Sequence, residues 1–462
     1  MRCFEARSNL QAHSLPPAEG GPVFFFINGV SRPIPDMTIA WTGRRGYGKI
    51  RSKRGMQMTQ RKPLLIRGGT VVTPGRRPAV ADVLLAGGRI AAVGTDAAAD
   101  AEVLEASGLF VLPGFIDIHS HGRGGADFCD LTDEAFETIG RGKLADGVTG
   151  FLATGLTRPE SDLAELCRCV ERYKQKANPS SVDLHLSPSP LSTCLGVHLE
   201  GPFFNAAMAG AQNPAYLMKP DAAMVKRLDA ISKVVKVSLA PELAGAEACI
   251  RELVAAGIVV SGGHSAADYD AFERARRAGM THLTHFCNAM MPIHHLRPTM
   301  VTGGLLADDV FAEIITDGVH LSDPMIRLVA KAKGPDRTMV ITDAMCAAGE
   351  PDGLYSLGGL RVRVERGRAT LADVPYDPKA VVSNVAGSVA LYPQCFRRYV
   401  AASGLPLEEA VKATSYNQCV SLGIPDRGEI AAGKVADLVL LDSDLQPAVT
   451  LVGGRVAWRA GR

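Results

Sequence analysis

The chain has 462 residues, too many for one small core; one large barrel with an appended domain, or two to three domains, fits that length. A composition of 47% hydrophobic and 21% charged residues with 48 glycines is ordinary for a globular enzyme, and a net charge of +2 gives no reason to expect a nucleic acid or an anionic membrane as partner. No apolar run reaches the roughly 18 residues of a spanning helix, and the ten cysteines are scattered through core-like segments, as reduced thiols of a cytosolic protein would be.

Residues 1–57 lack sustained periodicity and carry a basic patch from Arg44 to Arg54. They read as a disordered extension, or as sequence ahead of a natural start at Met56 or Met58; their short apolar cluster, Val23–Ile27, is not arranged as a secretory signal. From Leu64 short strands alternate with glycine turns at Gly68-Gly69 and Gly87-Gly88, and the same style returns in Ala436–Leu441 and Val449–Val456. Both ends therefore predict one small β domain, residues 58–112 and 429–462, flanking a long middle at 113–428.

The middle opens on Leu112–Gly122, which reads as a buried strand placing His119 and His121 on one face. Alone, a His-x-His pair is a weak motif. Seven further strand-like pieces follow: Gly150–Thr154, Leu195–Glu200, Val235–Ala240, Ile258–Ser261, His282–His285, Ala312–Ile315 and Met339–Asp343. Helical stretches such as Ala222–Ile231, Ala246–Ala256 and Asp268–Ala278 separate them. Eight strand–helix units predict a (β/α)8 TIM-type barrel; an open doubly wound sheet would show a glycine-rich phosphate loop after its first strand, and none is present.

Titratable residues collect at the strand ends, where such barrels carry their sites. They are His119 and His121, Glu200, His264, His285 and Asp343. Imidazole nitrogen and carboxylate oxygen suit zinc, divalent iron and similar ions. An ion held there would bring the pKa of a water to roughly 7, and Asp343 could take its proton and return one to a leaving group. His198 shares a face with Glu200 and reads as its support, His282 as a packed core residue. His294, His295 and His320 fall in loops after strands, where substrate would lie.

Pro113–His121, Gly196–Phe203, Ala240–Glu242, Gly263–Ala266, Thr284–Met290, Asp317–His320, Thr342–Ala344 and Ala386–Ser388 together resemble the N-acetylglucosamine-6-phosphate deacetylase family of the amidohydrolase superfamily, from about residue 64 to 460. The resemblance implies a (β/α)8 barrel with a β-sandwich from both termini, and hydrolysis of the acetamide of N-acetylglucosamine 6-phosphate. It makes Glu200, His264 and His285 ligands of a principal divalent ion, zinc or iron, with His119 and His121 helping to hold a second, so that each subunit carries one or two. Asp343 becomes the general base and acid. Asn288, Ala289 and His320 meet the sugar phosphate, with His320 reaching the neighbouring subunit's site in a homodimer.

Two departures bear on substrate. The family commonly reads His-His-Arg-x-Pro-Gly where this chain has His294-His295-Leu296-Arg297-Pro298-Thr299, so the phosphate-gripping arginine is replaced by Leu296 and Arg297 stands one residue late. Gln212 stands where histidine is usual and could still bond a sugar hydroxyl. The alternatives are a deacetylase of another N-acetylhexosamine, unphosphorylated or N-acetylgalactosamine 6-phosphate, and a non-catalytic scaffold. Asn417-Gln418-Cys419, in place of the usual Asn-Pro-Ala, reads as structural.

Overall fold

The computed structural model describes residues 62–94, 100–177, 191–377 and 384–461; the extension read over residues 1–57 lies outside them. Eight parallel strands make a barrel: β1 Phe115–Asp117, β2 Val148–Gly155, β3 Thr193–Glu200, β4 Val234–Leu239, β5 Val259–Gly262, β6 His282–Leu283, β7 Phe311–Ile315 and β8 Thr338–Ile341, hydrogen-bonded in chain order. One longer helix follows each strand: α1 Asp133–Ala145, α2 Glu160–Ala177, α3 Ala222–Asp229, α4 Ala246–Ala255, α5 Tyr269–Ala278, α6 Met300–Leu306, α7 Asp323–Lys333 and α8 Tyr392–Ser403.

Local sequence explains these elements. Helix α5 starts where the Asp268 side chain accepts a hydrogen bond from the Ala271 N–H, and it stops at Gly279, whose left-handed φ of 112° suits glycine. Its buried residues, Ala271, Phe272, Ala275 and Ala278, form one helical stripe. Helix α6 packs close to it because Gly303 has no side chain; a Cβ there would stand 2.3 Å from the Phe272 ring.

In the strands the period is two. Phe151, Ala153, Val197, Leu199, Val237, Leu239, Ala312, Ile314 and Val340 belong to the apolar layer shared with the helices. The alternate positions face the barrel interior, and there the strands divide. Those of β1, β7 and β8 are apolar, with Ile116, Phe311, Ile315, Met339 and Ile341 in one cluster. Those of β3 to β5 are polar and buried: His198, Glu200, Lys236, Ser238 and Ser261. Glu313 is the exception on β7. It crosses to Lys236, whose Nζ lies 2.7 and 2.6 Å from its two carboxylate oxygens.

The barrel seam lies between β8 and β1. The buried Asp117 carboxylate accepts from Lys143 Nζ at 2.9 Å and from the Thr342 hydroxyl at 2.7 Å. Just beyond the strand ends, the Asp343 N–H donates to His119 O at 2.9 Å and the His121 N–H to Ala344 O at 2.8 Å.

The two ends of the chain build a second, mostly antiparallel sheet from Leu64–Thr73, Arg76–Ala86, Arg89–Val93, Glu102–Glu105, Phe110–Pro113, Leu438–Leu441, Pro447–Val452 and Arg455–Arg459. It has its own core, with Ile66, Val83, Leu104, Leu438, Leu440 and Leu451 among its members. An element that sequence reading missed follows β8: a three-stranded antiparallel sheet, Gly353–Leu357, Leu360–Glu365 and Arg368–Leu371. It packs on Leu156 and Met345 from the loops after β2 and β8. Asn417 is buried and donates to Pro335 O and Thr338 O, both at 2.8 Å, in keeping with the structural reading of that segment.

Candidate metal centre and active site

Five of the six strand-end candidates lie beyond the last residue of their strand; Glu200 is the last residue of β3. The first strand is shorter than its sequence suggested, ending at Asp117, so His119 and His121 project from the extended segment that follows it. An isolated bridge between Ser120 and Ala344 keeps that segment extended, and both rings still turn to the same side. His264, His285 and Asp343 take left-handed φ values of 45°, 31° and 51°. Such backbone costs a non-glycine residue of order 1–3 kcal/mol, which packing elsewhere must offset; here it bends the exits of β5, β6 and β8 so that their side chains converge.

Glu200 is the centre of the convergence. Its Oε1 lies 3.3 Å from His119 Nε2, 3.3 Å from His264 Nε2 and 3.1 Å from His285 Nε2. Its Oε2 lies 3.1 Å from His121 Nε2. Asp343 Oδ1 stands 3.4 Å from His119 Nε2 and 3.1 Å from His121 Nε2. Two overlapping ligand groups result, His119–His121–Glu200 and Glu200–His264–His285, all buried and sharing one carboxylate.

The hydrogen bonds around these rings fit a cation. His264 Nδ1 faces Met208 O at 2.9 Å, His285 Nδ1 faces Asn288 O at 3.1 Å, and His121 Nδ1 faces Thr154 O at 3.3 Å. A carbonyl can only accept, so each Nδ1 carries the proton and each Nε2 is left as a lone pair. The Nε2 atoms of His264 and His285 then point at each other across 3.0 Å, an arrangement that a divalent ion between them and Glu200 would relieve. Without an ion, protons take that part. Burial alone would lower His119, but the Glu200 and Asp343 carboxylates raise it to about 9. Burial would raise Glu200 and Asp343, yet the facing histidines hold both below the usual carboxylate range.

Beneath this layer His198 packs edge-on to His119, with ring centroids 4.7 Å apart, and bonds the Ser238 hydroxyl at 2.8 Å. Burial, reinforced by the nearby Lys236, keeps it neutral. It touches neither the cavity wall nor the ligand oxygens, in line with a supporting role. His282 is likewise buried against Phe311.

A cavity opens above the ligands, lined by His121, Glu200, His264, His285 and Asp343 together with Gln212, Asn288, Ala289, His320 and Leu357. His320 thus reaches the cavity of its own chain, whereas sequence reading gave it to a neighbouring subunit's site. Its Nδ1 pairs with Asp317 at 2.8 Å, leaving Nε2 for a ligand. Gln212 lines the cavity but its amide is spent on Glu200 and on the Thr157 N–H, both at 2.8 Å. His295 and Arg297 are not brought to the cavity. Both are exposed, on a loop where His294 Nδ1 accepts the Leu296 and Arg297 N–H groups and Leu296 is 76% exposed.

Sequence reading missed the carbonyls of Met208 and Thr154, which carry no side-chain signal, and the Lys236–Glu313 pair. Charged residues inside the otherwise apolar strands β4 and β7 were the available sign of that pair.

Comparison with known proteins agrees with this geometry. The model of the Amidohydrolase family matches residues 110–457. An N-acetylglucosamine-6-phosphate deacetylase of Lysinibacillus sphaericus is 35% identical over 398 residues, 85% of this chain and 97% of the relative. One from Bacillus subtilis is 33% identical over 75% of this chain and 84% of the relative. Among solved structures, the deacetylase of Thermotoga maritima superposes with a TM-score of 0.75 at 34% identity, covering 86% of this chain and all of the other. A mutant of the Mycobacterium smegmatis enzyme in complex with N-acetyl-D-glucosamine-6-phosphate gives 0.76 at 34% identity, over 86% and 99% of the two chains. By barrel, ligand layout and sequence, the chain belongs to the N-acetylglucosamine-6-phosphate deacetylase family of amidohydrolases.

Proposed function

We propose that this protein hydrolyses the acetamide of N-acetylglucosamine 6-phosphate, releasing acetate and glucosamine 6-phosphate. The observation that carries the reading is Asp343, a carboxylate at the cavity wall 3.1 Å from His121 Nε2, held beside a ligand cluster that converges on Glu200. Glu200, His264 and His285 would hold a divalent ion, with His119 and His121 able to hold a second, and the ion would supply Lewis acidity at the acetyl carbonyl and acidify a water. Asp343 accepts the proton of the attacking water and delivers a proton to the nitrogen as the C–N bond breaks, so that the sugar leaves as an amine.

The phosphate reading is supported by His320 and by the segment at Asn288. Burial opposes protonation of His320, but its pairing with Asp317 prevails and raises its pKa, so the ring can meet an anion as a cation. Left-handed residues at His285, Cys287 and Ala289 alternate along the adjoining segment, the kind of backbone concavity that suits anionic groups. One observation favours a second reading, an unphosphorylated N-acetylhexosamine or another epimer: among the described residues no lysine or arginine lines the cavity. A panel of N-acetylglucosamine, its 6-phosphate and N-acetylgalactosamine 6-phosphate, assayed for acetate release with metal content measured on the same preparation, tests both. Equal or faster turnover of the plain sugar would overturn the phosphate reading, and a protein free of metal and inactive on all three would be a scaffold.

We also place the protein in the cytosol, which the nine free cysteines among the described residues support, and no helix among those residues is long and apolar enough to cross a membrane. A homodimer follows from the family resemblance and is checked by light scattering.

A further inference from the structure

We infer that Gln212 is a positioning residue for Glu200, and that the loop carrying it sets the geometry of the principal ligand group. The inference rests on the metal reading of the cluster and is independent of which sugar is bound. Gln212 is 3% exposed, and both ends of its amide are committed. Oε1 accepts the Thr157 N–H just beyond β2, and Nε2 donates to Glu200 Oε2 at the end of β3. The Thr157 N–H can only donate, so the amide cannot turn over without setting N–H against N–H. Its orientation is therefore locked by the main chain, and a donor is always presented to Glu200.

The carboxylate's own orientation follows. Oε2 is kept on the side of Gln212 and His121, and Oε1 is left to His119, His264 and His285. That division lets one carboxylate serve both ligand groups. The same loop acts on a second ligand four residues earlier, where Met208 O fixes the Nδ1 proton of His264. Two of the three principal ligands thus take their orientation from residues 208–212, which hold no ligand themselves. Hydrogen-bond partners of this kind carry roughly 10–100-fold in metal affinity.

The test is zinc binding by equilibrium dialysis, with circular dichroism to confirm folding and steady-state kinetics alongside, on the parent protein and on Gln212→Met, Gln212→Glu and Gln212→His. Met keeps the length and removes both hydrogen bonds; Glu keeps the acceptor for Thr157 and removes the donor to Glu200. Both should bind zinc roughly 10–100-fold more weakly and lose kcat more than they raise KM. His retains one donor and one acceptor and should restore zinc affinity. If Gln212→Met does not fold, Gln212→Glu decides. Parent-like zinc affinity in the folded variants, with only KM raised, would make Gln212 a substrate contact and overturn the inference while leaving the metal reading intact. Absence of zinc binding by the parent protein would overturn the metal reading itself, and this inference with it.

Discussion

On one side of Glu200, His264 and His285 seat Nδ1 on main-chain carbonyls at 2.9 and 3.1 Å; on the other, His119 has no hydrogen-bond partner at either ring nitrogen, and beyond the ligand cluster its Nδ1 meets a carboxylate oxygen of Glu313 at 3.8 Å. A main-chain acceptor fixes tautomer and ring plane before any ion arrives. A carboxylate already neutralised by Lys236, and beyond hydrogen-bonding distance, leaves the His119 ring to be set by whatever binds at Nε2. The two ligand groups should therefore not bind equally: in Glu200–His264–His285 both rings are preorganised, whereas in His119–His121 only His121, seated on Thr154 O at 3.3 Å, is, and His119 completes its geometry on binding.

A large effect on turnover alone is expected from Asp343, which faces the His119–His121 group but is not counted among its ligands. Asp343→Asn should lower kcat by about 10²–10⁴-fold while metal content stays at the parent level, since the amide keeps the side-chain shape but cannot take the water's proton. Normal turnover in that variant would remove Asp343 from the mechanism. Next, the asymmetry itself can be broken from either side. His264→Ala should empty the principal site and abolish activity. The double variant His119→Ala with His121→Ala should lower metal stoichiometry more surely than it abolishes hydrolysis, and loss of all bound metal would reverse the ranking of the two groups.

A smaller effect is expected from the pair beneath His119. Replacing both partners, Lys236→Met with Glu313→Gln, avoids stranding a buried charge and should weaken only the weaker metal-binding step. It also has a pH signature. Burial opposes ionisation of Glu313, but Lys236 and the neighbouring histidines hold its pKa at about 2, below the ordinary 4.5. A folded-state pKa below the unfolded one stabilises the fold fully above 4.5, and that contribution is lost as pH falls toward 2. Acid unfolding followed by circular dichroism should therefore show a shallower loss of stability across that window in the double variant. The smallest effect is expected at the rim: Leu296→Arg should improve KM for a phosphorylated sugar over the plain one by a few-fold, and no change would show that the exposed loop does not meet substrate.

The barrel and the convergence of its strand-end residues were legible in the sequence because two periodicities coincide: apolar residues alternate along the strands, and titratable residues stand at several strand ends. His264, His285 and Asp343 announce themselves in that way even though their left-handed backbone does not. What tightens the site was not legible. Met208 and Thr154 act through carbonyls that every residue has, the Gln212 side chain could serve a sugar as readily as it serves Glu200, and the small sheet of Gly353–Leu371 is built from alternating residues too short and too exposed to stand out. His295 and Arg297 stand on an exposed loop outside their own chain's cavity; sequence position near Asn288 says nothing about which way a loop leaves the barrel.

The main-chain bonds that join the last strand exit to the first run through His119, His121 and Asp343 themselves, and the Ser388 N–H and hydroxyl grip Asp343 O and Thr342 O from the far end of the chain. Circularisation of the barrel and assembly of the proton-transfer apparatus are therefore a single event. Were the eighth strand to dock last, Glu200, His264 and His285 would come together before any base stood beside them. During refolding, recovery of metal binding should run ahead of recovery of turnover, and the lag between them measures how long the ring stays open.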